Sequence, residues 1–143
     1  MSLEEKKAVV YRLNTEIWNQ KNADAVDEIF ASDVVMYRSG RPVIQESETL
    51  RQWVANYART TWGDSQATIE EIVAEGDLVV TRWTVRGTHE GEWRGIAPTG
   101  KPVTITGITI HRVVDGKIAE VWAEENWLGV MQQIGALPTP AAS

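Results

Sequence analysis

An α+β domain, with a bent antiparallel sheet wrapped over N-terminal helices, is predicted by three features of the sequence. Apolar residues recur at helical spacing through residue 60, and from residue 67 four long strand-like runs follow without an intervening helix. The last two runs flank Asp115-Gly116, a strong two-residue hairpin signal. Helices first and a meander afterwards argue for helices packed on one face of an antiparallel sheet, not for a parallel βαβ array.

Each element follows from local pattern. Residues 3–20 place Val10, Leu13 and Ile17 on one helical stripe and Glu4, Lys7 and Asn14 on the other. Asn22 suits the N-cap of a second helix over 23–31 that buries Val26, Ile29 and Phe30. A short strand over 33–38 ends at Ser39-Gly40-Arg41-Pro42. Ser47 suits the cap of a third helix reaching residue 60, with Leu50, Trp53, Val54 and Tyr57 at helical spacing. Strands are expected over 67–74, 78–90, 103–114 and 117–126, then a short helix over 128–134 stopped by Gly135. Residues 1–137 form one domain, and Pro138 and Pro140 mark a loose tail over 138–143.

Composition narrows the function. A chain of 143 residues buries roughly 70% of its unfolded surface, enough for one core with an internal cavity. The net charge is −6 and no basic cluster occurs, which argues against nucleic acid and anionic membranes, whose phosphates demand Lys and Arg. No apolar run approaches a membrane span, and Met1–Lys7 lacks the apolar core of a secretion signal. Cysteine is absent, which excludes disulfides and thiolate metal sites and fits a reducing cytoplasm. Two histidines far apart hold no zinc, so neither metal nor cofactor is expected. A small hydrophobic or aromatic ligand remains. Seven tryptophans against a single phenylalanine fit core-to-pocket boundaries, because indole carries one N–H on a large apolar body.

A two-residue turn at Asp115-Gly116 sets a register. Val114 opposes Lys117, and regular pairing then puts His111 opposite Glu120, Thr109 opposite Trp122, Gly107 opposite Glu124 and Ile105 opposite Asn126. These residues share one face with Val113 and Ile118. The other face, with Thr104, Thr106, Ile108, Ile110, Val121, Ala123 and Trp127, is apolar enough to pair two copies of the chain.

The first face mixes apolar walls with a few polar groups, as a reaction pocket does. Glu124 is its acid near the sheet-to-helix end, either a buried acid/base or a solvated strand-end residue. His111 is either a proton carrier paired with Glu120 or half of a surface cross-strand pair. His89 is a pocket-mouth group or an anchor for the loop over 91–100. Trp53, Trp62, Trp83 and Trp122, with Thr109, would supply walls and contacts, although the plainer reading of Trp18, Trp53 and Trp83 is core.

Three elements in order carry a family resemblance: Gly87-Thr88-His89, Pro98-Thr99-Gly100 and Asp115-Gly116-Lys117-Ile118. With the segments 74–83 and 129–135 they make the chain similar to the SnoaL-like polyketide cyclase group of the nuclear transport factor 2-like superfamily. The resemblance implies a cone-shaped curved sheet over three N-terminal helices, a mouth admitting a hydrophobic ligand, and homodimers formed through the sheet. In the cyclases an Asp four residues after the last-strand Trp serves as acid/base; here that position is Asn126. Asn donates and accepts hydrogen bonds but does not exchange a proton. Tyr37 stands where many members carry a histidine. The expected activity is cofactor-free lyase, isomerase or cyclase chemistry by proton transfer, with Glu124 as acid/base, Asn126 and Tyr37 polarising a substrate oxygen, and His111 as a weaker carrier. The alternative is a binding protein of the same fold without turnover.

Overall fold

The computed structural model describes residues 1–139. Helix α1, Leu3–Arg12, opens on a capping box: the Ser2 hydroxyl accepts from the Glu5 N–H while the Glu5 carboxylate accepts from the Ser2 N–H. The helix then widens into a π-helix over Leu13–Asn19, which the apolar spacing did not foretell. π-Helical turns often accompany functional sites. Here the widened turn keeps Leu13 and Ile17 buried and brings Asn14 and Trp18 to the wall of a cavity.

Asn22 caps the next segment as expected, its side chain accepting from the Asp24 N–H. That segment is short: a 3-10 turn at Ala23–Ala25 and helix α2 at Val26–Ile29, with Phe30 already extended. Strand β1, Phe30–Arg38, turns through Ser39 and Gly40, at φ 50 and 76, into β2, Arg41–Ile44. The stretch read as a break is thus a tight hairpin. Helix α3, Ser47–Thr61, buries Leu50, Val54 and Ala58, and Ser47 is its first residue while Glu46 takes the cap position.

Four strands follow: β3, Gln66–Glu75; β4, Leu78–Thr88; β5, Pro102–Val114; β6, Lys117–Glu125. Helix α4, Trp127–Gln133, ends the domain. The sheet has six strands in the order β2-β1-β6-β5-β4-β3. Only β1 and β6 run parallel; the other pairs are antiparallel. The expected tail over 138–143 extends past the described residues from 140 onward.

The Asp115-Gly116 turn has the predicted two residues, both with positive φ (51 and 80), as a type I′ hairpin requires. Val114 opposes Lys117 and Val113 opposes Ile118. The regular register stops there. Arg112 opposes Glu120, so Ala119 is an extra residue, a β-bulge. Past it, His111 faces Val121, Ile110 faces Trp122, Thr109 faces Ala123, Ile108 faces Glu124 and Gly107 faces Glu125. A one-residue slip flips every later side chain. Val121, Ala123 and Glu125 therefore share the inner face with Thr109 and His111, while Glu120, Trp122 and Glu124 point outward.

The inner face packs on the helices. Val10, Leu13, Ile17, Ile29, Phe30, Leu50 and Ile118 form one buried cluster near the helical layer. Trp93, Val103, Ile105, Val130 and Ile134 form a second. Members of both line one cavity, which the sheet wraps.

Candidate functional site: a cavity with a buried acid at one end and a neutral histidine at the other

The cavity measures about 340 Å³. Its apolar walls carry several Trp and Tyr rings. Trp18 meets Trp53 edge to face at 6.0 Å, Trp53 leans on Tyr57 at 5.6 Å, and Trp62 meets Trp93 at 6.1 Å. The Trp83 ring lies directly over Gly107: a Cβ there would sit 2.3 Å from the indole Cζ2. This close approach lets the Trp83 N–H donate to the Thr109 hydroxyl at 2.8 Å. Gly107 is thus a packing requirement rather than a turn.

At the inner end stands His111, 3% exposed. Its Nδ1 lies 3.1 Å from the Val79 carbonyl oxygen, which can only accept, so Nδ1 carries the proton and Nε2 keeps its lone pair. Burial lowers the imidazole pKa to about 4, against the raising effect of that hydrogen bond. His111 is neutral at physiological pH.

At the other end stands Glu125, the acid the bulge brings inward. Its side chain is 8% exposed, and Arg38 Nε pairs with it at 3.3 Å. Burial raises its proton affinity above the usual carboxylate range, and the charges of Arg38 and Arg94 only partly offset this. Trp127 and Arg94 complete this end. Trp93-Arg94-Gly95-Ile96 closes as a tight turn, the Trp93 and Ile96 backbones bonding each other at 3.0 and 2.8 Å, with Arg94 and Gly95 at φ 51 and 78. The turn lays the Arg94 guanidinium over Trp93 at 4.9 Å and over Trp127 at 5.1 Å. Arg38 also lies over Trp127, at 5.7 Å.

Gly107, which faces Glu125, is four residues from His111 on β5, so the two groups stand roughly 13 Å apart along the sheet at about 3.3 Å per residue. Thr109 lies between them. On the helical side, Lys21 is buried with Nζ donating to the Trp18 and Ser65 carbonyls, and burial lowers its pKa.

His111, Thr109, Trp53, Trp62 and Trp83 line the cavity as the sequence suggested. Other expected positions differ. Glu124 is exposed on the outer face, and Trp122 shares that face, its ring stacked on Tyr37 at 5.9 Å and 5°. Tyr37 borders the cavity, yet its ring belongs to this outer stack. His111 has no partner in Glu120, which pairs with Arg112 instead. Asn126 caps α4, its Oδ1 accepting from the Gly129 N–H at 3.0 Å, and does not line the cavity. Trp127, expected outside, lines it. His89 is fully buried behind the wall, stacked on Trp62 at 5.4 Å, and its Nδ1 meets the Thr99 hydroxyl at 3.0 Å. It is the loop anchor.

Sequence reasoning missed Arg38, Glu125, Arg94 and Tyr57. One signal was available for Glu125. Ile118 and Val121 are apolar and three apart, a spacing that a regular strand cannot place on one face; their joint burial in the structure shows that the bulge at Ala119 resolves it.

Fold and site together define a cone-like α+β pocket protein of the nuclear transport factor 2-like fold, with an acid and a histidine inside. The sequence matches the SnoaL-like polyketide cyclase family over residues 8–134, and the chain belongs to that family. Among solved structures it is similar to AclR of Streptomyces galilaeus, a proposed hydroxylase, at 29% identity and a TM-score of 0.85, covering 98% of this chain and 87% of that one. IdmH of Streptomyces antibioticus, a proposed polyketide cyclase, is 30% identical with a TM-score of 0.77, covering 91% and 98%. TsrD of Streptomyces laurentii is 25% identical with a TM-score of 0.83, covering 96% and 99%. No match is found among curated proteins.

Proposed function

We propose that this chain is a cofactor-independent enzyme of the cyclase, isomerase or lyase type, moving a proton on a small hydrophobic or aromatic carbonyl compound held in the cavity. The carrying observation is Glu125. It is a carboxyl group buried among indole and apolar walls, with its proton affinity raised toward working pH, where a general acid/base is most effective. Membership of a cyclase family and the likeness to IdmH support the same class.

In this reading Glu125 exchanges a proton at the carbon or oxygen next to the substrate carbonyl, and Arg38 holds the carboxylate in place. His111 Nε2 offers an acceptor lone pair at the far end, and the Thr109 hydroxyl lies between the two. Glu124, Asn126 and Tyr37 have no part in the chemistry.

A neutral probe tests this without knowledge of the substrate. In deuterium oxide, 2-tetralone loses its acidic C–H signals as the protons exchange, which proton NMR follows directly. The protein should accelerate the exchange, and Glu125→Gln should reduce the acceleration by 10²- to 10⁴-fold, on the order expected for a positioned general acid/base. No acceleration by the wild-type protein, with 2-tetralone binding intact, would favour the binding-protein reading.

The same proposal includes a homodimer through the outer sheet face. Val80, Ile110, Trp122 and Tyr37 form an apolar cross-strand row there, and Ile108, 52% exposed, lies beside it between Arg82 and Glu124. An exposed apolar row of this kind marks interfaces.

A further inference from the structure

The Glu125 end of the cavity holds more positive charge than its own acid neutralises. Two guanidinium groups, Arg38 and Arg94, act on the single carboxylate of Glu125. Arg38 engages it through Nε at 3.3 Å, so its pairing uses one edge of the fork. Arg94 has no acid within salt-bridge reach among the described residues; it rests on the faces of Trp93 and Trp127. Arg94 is exposed while lining the cavity, and a guanidinium lying over two indole rings keeps N–H donors available for two oxygens at once. It is also held at a cost, because Arg94 adopts φ 51, a region that side chains other than Gly, Asn and Asp rarely occupy.

A third donor is incompletely paired. The Trp127 Nε1–H is buried with no well-aligned hydrogen-bond partner, although it lies close enough to Glu125 to favour the ionised carboxylate slightly. Buried indole N–H groups normally find a partner. Surplus positive charge, available guanidinium donors and an incompletely paired N–H converge beside an apolar cavity, in a chain whose net charge is −6. These features are complementary to an anionic oxygen group attached to an apolar body.

We propose that Arg94 and Arg38, with the Trp127 N–H, recognise a carboxylate on the substrate, so that the enzyme acts on aromatic or alicyclic acids rather than on neutral ketones alone. This deepens the reading above and rests on the cavity being the substrate site. A second carboxylate placed here also acts on Glu125. Like charges a few ångströms apart disfavour double ionisation, so the bound acid drives Glu125 toward its protonated form. The substrate would then prime the group that delivers a proton to it, and binding would take up a proton.

Two probes of equal shape and different charge test it, 2-naphthoate and 2-naphthamide, titrated against the intrinsic tryptophan fluorescence. The wild-type protein should bind 2-naphthoate at least tenfold more tightly than 2-naphthamide. Arg94→Gln should remove that preference, weakening 2-naphthoate about tenfold and leaving 2-naphthamide within twofold. Glu125→Gln should tighten 2-naphthoate and abolish the proton uptake seen when its affinity is followed against pH. Equal binding of the two probes by the wild-type protein, or an equal loss of both in Arg94→Gln, overturns the proposal. The proton-exchange test uses a neutral probe. Charge discrimination without exchange therefore sinks the catalytic reading alone, and exchange without discrimination sinks this one alone.

Discussion

Acidification should destabilise this fold through His111, and the size of the effect follows from its surroundings. The imidazole is wholly buried, donates Nδ1–H to the Val79 carbonyl, and has a pKa of about 4 against an ordinary 6.5. No charged group contributes to the shift; burial dominates. The folded pKa is depressed, so the unfolded chain binds the proton first as pH falls. The stabilising contribution is therefore complete above 6.5 and is lost progressively down to about 4. At ~1.4 kcal/mol per pH unit, that gap is worth about 3 kcal/mol, a large share of a typical stability of roughly 5–15 kcal/mol. Urea unfolding at pH 7.5, 6.5, 5.5 and 4.5 would measure it, comparing the wild-type chain with His111→Gln. The other acid-sensitive groups, including Asp77 beside Arg112 and Asp64 beside Thr88, are common to both proteins and cancel in the difference. The wild type should lose more stability than the variant across this range, by about 2.5 kcal/mol at pH 4.5, which still lies above the folded pKa. Parallel curves, or a His111 resonance titrating near 6.5 in NMR, would refute the argument from burial.

Three further outcomes are expected. Arg38→Gln removes the larger of the two charges that favour ionised Glu125, so the pH-rate profile of 2-tetralone exchange should move to higher pH; an unmoved profile would detach Glu125 from the rate. Gly107→Ala forces a Cβ to 2.3 Å from the Trp83 ring and 2.8 Å from the Glu124 carbonyl, and such overpacking should cost about 1–3 kcal/mol in urea unfolding, with a shift in tryptophan emission. Ile110→Glu places a charge within the outer apolar row of Val80, Ile110, Trp122 and Tyr37; sedimentation should show a dimer for the wild type at micromolar concentration and a monomer for the variant, and a monomeric wild type would remove the dimer proposal.

Much of the fold was legible because it is written in short-range chemistry. Helical spacing located α1 and α3, Asn22 capped where its side chain could accept an N–H, and Asp115-Gly116 made the turn that two positive φ values demand. The resemblance carried by Gly87-Thr88-His89, Pro98-Thr99-Gly100 and Asp115-Gly116-Lys117-Ile118 pointed to the right family. The site was less legible. Thr109, His111, Trp83 and Trp53 fall on β5, β4 and α3, and between β4 and β5 the alternation runs without interruption.

By itself, then, the sequence determined the helices-then-strands layout and the Asp115-Gly116 hairpin, since each depends on residues within a few positions of one another. Tertiary structure decided which acid enters the cavity. Ala119 is accommodated as a bulge where β6 is held between β5 and β1, and that single extra residue turns Glu124 out and Glu125 in. It likewise decided that Arg38 and Arg94, far apart in the sequence, each lie over Trp127. The physical reason is common to both. A one-residue change of register costs little in local preference but reverses every side chain beyond it, so only the packing of the whole sheet against its helices selects the outcome.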